Sequence, residues 1–293
     1  MHLKRHKERL VKNMPEAAIG VFDSGLGGLT CVKQLISLMP YENIIYFGDT
    51  ARVPYGNRSS KTIHRYATQA IEFLLKQDVK LLINACGSMS SSIDKEYTKT
   101  LPVKYIDCII PAAAAAVDTT KNKRIGVIAT AATTRSQSFV NAINELDSSI
   151  TTISKACPLF VPLVENGYVS ADNEVTTLVA RDYLEEFLKE DIDTLVLGCT
   201  HYPIIAELIS TIVGNGISLI DSGAEAAKQA TQYLNFEPES REKGRLKIYV
   251  SDNPIGFTEV ASSFLGFVPR DIWLIDIETI ESNKGDISWE VNT

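Results

Sequence analysis

Short apolar runs alternate with longer amphipathic stretches along nearly the whole chain. Residues 19–22, 43–47, 79–83, 125–128, 194–197, 217–220 and 246–250 are brief, β-branched-rich runs that read as strands. Between them, residues 29–38, 61–76, 112–118, 174–188, 224–234 and 257–264 read as helices, with Pro111 suited to a first helical turn. Strand–helix alternation of this kind predicts parallel sheets flanked by helices, an α/β protein. Apolar runs with little alternation fit strands covered on both faces, as parallel sheets require.

The pattern also repeats. The segment from Asp78 to Cys86 (Asp-Val-Lys-Leu-Leu-Ile-Asn-Ala-Cys) is echoed from Asp191 to Cys199 (Asp-Ile-Asp-Thr-Leu-Val-Leu-Gly-Cys). Ile19-Gly20-Val21-Phe22 is echoed by Ile125-Gly126-Val127-Ile128, and each runs into a loop of small and hydroxyl residues. The strand pair is offset by 106 residues and the cysteine pair by 113, so two features give similar spacings. A duplication is expected, giving two pseudo-symmetric parallel-sheet α/β domains that face each other. Residues 17–108 plus 217–272 form the first, carrying Cys86, and residues 109–216 form an inserted second, carrying Cys199. Residues 1–16 are a basic N-terminal tail and residues 273–293 a C-terminal segment. Ligands bind beyond the carboxyl ends of such strands, which places the active site in the cleft between the domains.

Composition narrows the partners. The 293 residues are 45% hydrophobic and 22% charged, ordinary values for a globular protein. A formal net charge of −7 argues against nucleic acid as the main partner. No stretch approaches a membrane span, because the longest apolar region, 106–117, is broken by Asp107, Cys108 and Pro111. Five cysteines without C-x-x-C spacing suggest reduced thiols and a cytoplasmic location rather than a disulfide or zinc framework. Four scattered histidines give no metal-site spacing. Cys31, Cys108 and Cys157 lie in or near apolar segments and read as structural.

Cys86 and Cys199 are different, because each is expected at a strand end just before a helix. The unpaired N–H groups there would make a thiol more acidic. Thiols on opposite faces of one carbon suit racemisation: one removes a proton and the other returns one, and the roles exchange with direction. Asp23 and His201 are the candidate neighbours that set which sulfur is the anion, although an aspartate after a strand is also an ordinary cap. The Gly25–Gly28 loop lacks the spacing of a nucleotide phosphate loop, and no G-x-S-x-G accompanies Ser24.

Three segments then carry a specific resemblance: Phe22-Asp23-Ser24-Gly25-Leu26-Gly27-Gly28, Phe47-Gly48-Asp49-Thr50-Ala51-Arg52-Val53-Pro54-Tyr55-Gly56, and Gly198-Cys199-Thr200-His201-Tyr202-Pro203. Their order and spacing over residues 17–272 resemble glutamate racemases. The resemblance implies a cofactor-independent isomerase of L- and D-glutamate, serving peptidoglycan synthesis, with no metal and as a homodimer. It implies Cys86 and Cys199 as the acid/bases, the first supported by Asp23 and the second by Glu165 and His201. Asp23, Ser24, Pro54, Tyr55, Gly56, Gly87, Ser88, Thr130, Thr200 and His201 would hold the substrate. One motif departs: the family's Cys-Asn-Thr-Ala-Ser is here Cys86-Gly87-Ser88-Met89-Ser90, which removes an amide but keeps a hydroxyl. The alternatives are a racemase of another amino acid, such as aspartate, and a catalytically impaired binding protein of the same fold.

Overall fold

The computed structural model describes residues 17–234 and 242–277; the basic tail 1–16 and the end of the C-terminal segment lie outside them. The first run of elements is β1 (Ala18–Asp23), α1 (Leu29–Leu38), β2 (Ile44–Gly48), α2 (Ser60–Leu75) and β3 (Val79–Asn84). It continues with the short α3 (Gly87–Ser90) and α4 (Lys95–Lys99), then β4 (Lys104–Asp107) and α5 (Ile109–Thr119). The second run is β5 (Arg124–Ala129), α6 (Ala131–Ser136), α7 (Ser138–Leu146), β6 (Thr151–Ala156), α8 (Phe160–Glu165) and α9 (Glu174–Lys189). After these come β7 (Thr194–Leu197), α10 (Ala206–Val213), β8 (Ser218–Asp221) and α11 (Ser222–Thr231). The chain then adds β9 (Leu246–Val250), α12 (Pro254–Leu265) and β10 (Ile272–Leu274).

Among the described residues every strand pairing is parallel. One sheet has the order β10-β9-β2-β1-β3-β4 and the other β6-β5-β7-β8. Apart from the added β9 and β10, the second order is the first advanced by four strands. The duplication therefore extends from sequence to topology, and further to packing. Gly20 and Gly126 are equivalent, and a Cβ on either would strike equivalent neighbours: Leu82, Val79 and Leu74 in one copy, Leu195, Ile192 and Phe187 in the other. Asp78 and Asp191, which precede β3 and β7, both take left-handed backbone angles (φ 54° and 50°), a conformation that aspartate tolerates better than most residues.

The sequence-based division requires one revision. It places residues 217–220 in the first domain, whereas β8 pairs with β7 in the second sheet. Without β8 the β7 edge would be open, so the repeat runs one strand further than the cysteine segment suggests. The crossings between sheets fall at α5 and α11 instead. In both, an aspartate ending the preceding strand caps the helix: Asp107 Oδ1 accepts from the Ile109 and Ile110 N–H groups, and Asp221 Oδ1 from those of Gly223 and Ala224. After its cap, α5 packs on β7, β8 and α7, while α11 packs on α1 and β4. Each crossing helix thus leaves its own sheet to cover the other.

The matched glycines give a first prediction. An added methyl at Gly126 meets Ile192, Phe187 and Leu195 carbons at 2.7, 2.8 and 2.9 Å, whereas at Gly20 the approaches are 2.9, 3.0 and 3.5 Å. Gly126→Ala should therefore destabilise by about 1–3 kcal/mol, and Gly20→Ala by less. Chemical denaturation midpoints check the order.

Candidate active site

The two cysteine loops leave their sheets in equivalent ways. Phe22 lies opposite Asn84 across β1–β3, and Ile128 lies opposite Leu197 across β5–β7. The next residue then donates back to the central strand, Ala85 N–H to the Phe22 carbonyl at 3.0 Å and Gly198 N–H to the Ile128 carbonyl at 2.8 Å. Cys86 and Cys199 follow directly. Both are nearly buried, at 5% and 6% exposure, and both line one cavity of about 300 Å³ between the sheets.

That cavity gathers most of the residues expected from sequence. Ser24, Pro54, Tyr55, Gly56, Gly87, Ser88, Thr130, Glu165, Thr200 and His201 all face it. Asp23 does not: it is fully buried behind the wall, its carboxylate accepting from the Gly25 N–H at 3.0 Å and the Thr200 hydroxyl at 3.3 Å. Tyr55 lines the cavity, but its hydroxyl is engaged by Asp49, which also holds Arg52 and accepts from Ser251 at 2.8 Å. This buried network anchors the loop bearing Pro54, Tyr55 and Gly56. Sequence reasoning quoted Asp49 and Arg52 in a motif but gave them no role. Val53, from the same motif, also lines the cavity, as do Asn57, Pro158 and Val161, loop or apolar positions without a chemical signature in the sequence.

The neighbours of the two sulfurs differ in kind. The Cys199 sulfur lies 3.9 Å from His201 Nδ1, and His201 Nε2 lies 2.9 Å from Glu165 Oε1. With its Nε2–H given to the carboxylate, the imidazole presents a basic Nδ1 to the thiol. The Cys86 thiol instead donates to the Ser24 hydroxyl at 3.5 Å. Across the cleft, Ser88 and Thr130 hydroxyls meet at 2.8 Å, and Thr130 in turn meets Thr133 at 3.1 Å. Among the described residues no Lys or Arg lines the cavity, so bound carboxylates would be met by neutral hydroxyl and N–H donors. Among the described residues no cluster of three or more His, Cys, Asp or Glu could hold a metal ion, and no helix is long and apolar enough to cross a membrane.

Helix N-termini do not acidify these thiols. Burial pushes Cys86 up to about 12, the nearby Asp23 charge adds to that, and hydrogen bonds involving Ser24 and the Met89 backbone only partly oppose it. Burial likewise holds Cys199 well above the ordinary thiol range, with the Cys86, Asp23 and Glu165 charges adding to it against the His201 backbone N–H. The reason is local. α3 is a single turn, and Cys199 leads into the 3₁₀ turn Tyr202–Ile205 rather than an α-helix. Neither carries a dipole long enough to offset desolvation.

The Gly25–Gly28 loop is occupied by packing. The Gly25 carbonyl accepts from the Tyr46 hydroxyl at 2.7 Å, and Gly27 abuts Thr200 and His201 of the other half. It is an interface loop, with Gly25 on the cavity wall.

Two parallel-sheet units that close on a cavity, each contributing one thiol from an equivalent strand end, define the class of Asp/Glu racemases. A family model described as Asp/Glu/Hydantoin racemase matches residues 108–230. Glutamate racemase from Geobacter metallireducens is 42% identical over 269 residues, covering 90% of this chain and 98% of that protein. The crystal structure of a glutamate racemase isoform from Bacillus anthracis superimposes with a TM-score of 0.84 at 32% identity, covering 90% of this chain and 98% of that one. The glutamate racemase of Francisella tularensis, solved with D-glutamate, gives 0.82 at 36% identity, over 91% and 100% of the chains. The chain belongs to the glutamate racemase family.

Proposed function

We propose that this protein interconverts L- and D-glutamate through Cys86 and Cys199, supplying D-glutamate for peptidoglycan synthesis in the cytoplasm. The observation that carries the reading is the pair of thiols, brought to one cavity by equivalent strand ends of two separate sheets. One sulfur, as thiolate, takes the α-hydrogen as a proton, and the electron pair stays on the α-carbon. The opposite sulfur, as thiol, gives its proton to the other face. The enzyme then holds its proton on the first sulfur, ready for the reverse direction, with no net redox change.

Side chains around each sulfur assist it. Glu165 orients His201, whose Nδ1 accepts the Cys199 proton when that sulfur must become the base. Ser24 and Asp23 serve Cys86. Hydroxyls of Ser24, Ser88 and Thr130 and the backbone N–H groups of Tyr55, Gly56, Gly87 and Thr200 bind the substrate carboxylates, with Pro54 shaping the pocket wall. Neutral donors hold both enantiomers without trapping either. The proposal includes a homodimer, which the family resemblance implies.

The test is polarimetric assay of purified protein from each glutamate enantiomer in deuterated water, without added cofactor, beside the same assay on aspartate. Both glutamate reactions should reach an equal mixture, with deuterium at the α-carbon of the inverted product. A higher rate on aspartate would reassign the substrate, and no exchange on either would leave a binding protein.

A further inference from the structure

His201 belongs to the second half of the molecule, yet the first half packs against its ring. Its Nδ1 lies 3.9 Å from the Cys199 sulfur and its Nε2 lies 2.9 Å from Glu165 Oε1, both groups of the second half. Gly27 of the first half approaches so closely that a Cβ there would lie 2.5 Å from Nδ1 and 2.7 Å from Cε1. Phe264 of α12 also meets the imidazole, with ring centroids 5.6 Å apart and planes at 87°. A T-shaped contact is a favoured geometry for flat rings. Phe264 is fully buried and His201 nearly so, which makes this a packed contact.

Phe264 reaches the histidine from an element without a duplicate. α12 lies between β9 and β10, the strands that extend the six-stranded sheet beyond the order of the four-stranded one. Its buried residues Phe257, Ala261, Phe264 and Leu265 recur at helical spacing, and the helix packs on α1. Gly266 then stops the helix in a left-handed conformation (φ 81°), its N–H donating to the Ser262 carbonyl at 2.9 Å. Phe264 is thus fixed in the last turn of a helix anchored away from the sheet that carries Cys199. The histidine needs such a wall, because its outer side-chain torsion is soft. A turn of the ring would carry Nδ1 away from the sulfur and Nε2 away from the carboxylate. Glu165 alone does not prevent this: its side chain is 32% exposed, so the carboxylate can follow the ring.

We propose that Phe264 is a positioning residue for His201, blocking rotation of the imidazole and so keeping Nδ1 aimed at Cys199. Cys199 and Glu165 are the titratable groups that the ring nitrogens face, and Asp23 accepts from the adjacent Thr200. Phe264 adds no charge to this set and acts through orientation. The proposal rests on the reading of His201 as proton acceptor for Cys199, but its first readout needs no turnover.

The experiment compares Phe264→Leu with Phe257→Leu, which removes the same ring from the same buried face two turns earlier. Iodoacetamide alkylation of each native protein is followed cysteine by cysteine by peptide mass spectrometry, beside racemisation kinetics. In Phe264→Leu, Cys199 should react severalfold more slowly, because the thiolate is the reactive form and a turned imidazole no longer takes its proton. Cys86 should react as in the unsubstituted protein. Turnover of glutamate should fall about tenfold from either enantiomer with KM changed less than about twofold, a loss on the scale of a slight misplacement. Phe257→Leu should leave both the Cys199 alkylation rate and turnover near those of the unsubstituted protein. Cys31, Cys108 and Cys157, all fully buried, should stay unreactive in both variants and so report an intact fold. Should Phe264→Leu fail to fold, Phe264→Met takes its place with the same expectations. An unchanged or faster alkylation of Cys199 in the folded variant overturns the proposal. So do equal changes in the two variants, which would make Phe264 a requirement of packing only. If the unsubstituted protein does not racemise glutamate, the functional reading falls, and the alkylation comparison still decides whether Phe264 orients His201.

Discussion

Cys86→Ser and Cys199→Ser should each lower racemisation by about 10²–10⁴-fold, the range set by losing a positioned acid or base, and with opposite directional bias. A serine hydroxyl is a far weaker acid than a thiol, so it fails as base for the enantiomer whose proton it faces. The remaining thiol still faces the α-hydrogen of the other enantiomer. That enantiomer should continue to exchange its α-hydrogen for solvent deuterium, but without inverting. The two variants should therefore show wash-in on opposite enantiomers, read by proton NMR of recovered glutamate. Full activity in either variant, or wash-in on the same enantiomer in both, would rule out a two-sulfur scheme. The effect follows from geometry: the two sulfurs enter one cavity from separate sheets, so neither can substitute for the other.

Much of this arrangement is legible in the sequence because duplication writes the same physics twice. A single run such as Thr194–Leu197 could be a strand or part of a buried helix, but its match to Val79–Asn84 removes the ambiguity. β4, Lys104–Asp107, has no apolar run to announce it, whereas the run at 217–220 reads as a strand but, as a four-residue edge strand, carries no mark of the sheet it joins, so the repeat reads as ending too early. β6 is hidden for a similar reason: Thr151–Ala156 is mostly half-exposed and carries Thr, Ser and Lys. Cavity residues with distinctive chemistry are found from sequence, whereas Asp49 and Arg52 act on the site only through the Tyr55 loop. What sequence cannot supply is the balance of burial against helix polarity at each thiol, since that depends on how far the two halves close. The same holds for Phe264, which in the sequence ends a helical run at 257–264 and in the structure packs against His201.

Asp23→Asn should make Cys86 easier to ionise and yet slow the enzyme. The Asp23 charge is the second cause, after burial, that holds the Cys86 thiol up to about 12. A negative neighbour favours the neutral thiol, so removing it moves the sulfur's titration to lower pH. Alkylation of Cys86 should accordingly begin at lower pH in the variant, with the loop held in shape because an asparagine oxygen can still accept from the Gly25 N–H or the Thr200 hydroxyl. Catalysis depends on the opposite property in one direction. When Cys86 is the acid it must keep its proton until the α-carbon takes it, and burial together with the Asp23 carboxylate keeps it there. The direction that uses Cys86 as acid should lose about 10²-fold. The direction that uses it as base should lose less, and its rate should rise at lower pH than in the unsubstituted enzyme. Initial rates from each enantiomer across pH, with Cys86 alkylation followed over the same range, measure both. A Cys86 titration that moves upward in Asp23→Asn would mean that Asp23 stabilises the thiolate, and the assignment of Asp23 as the group that retains the proton would fall.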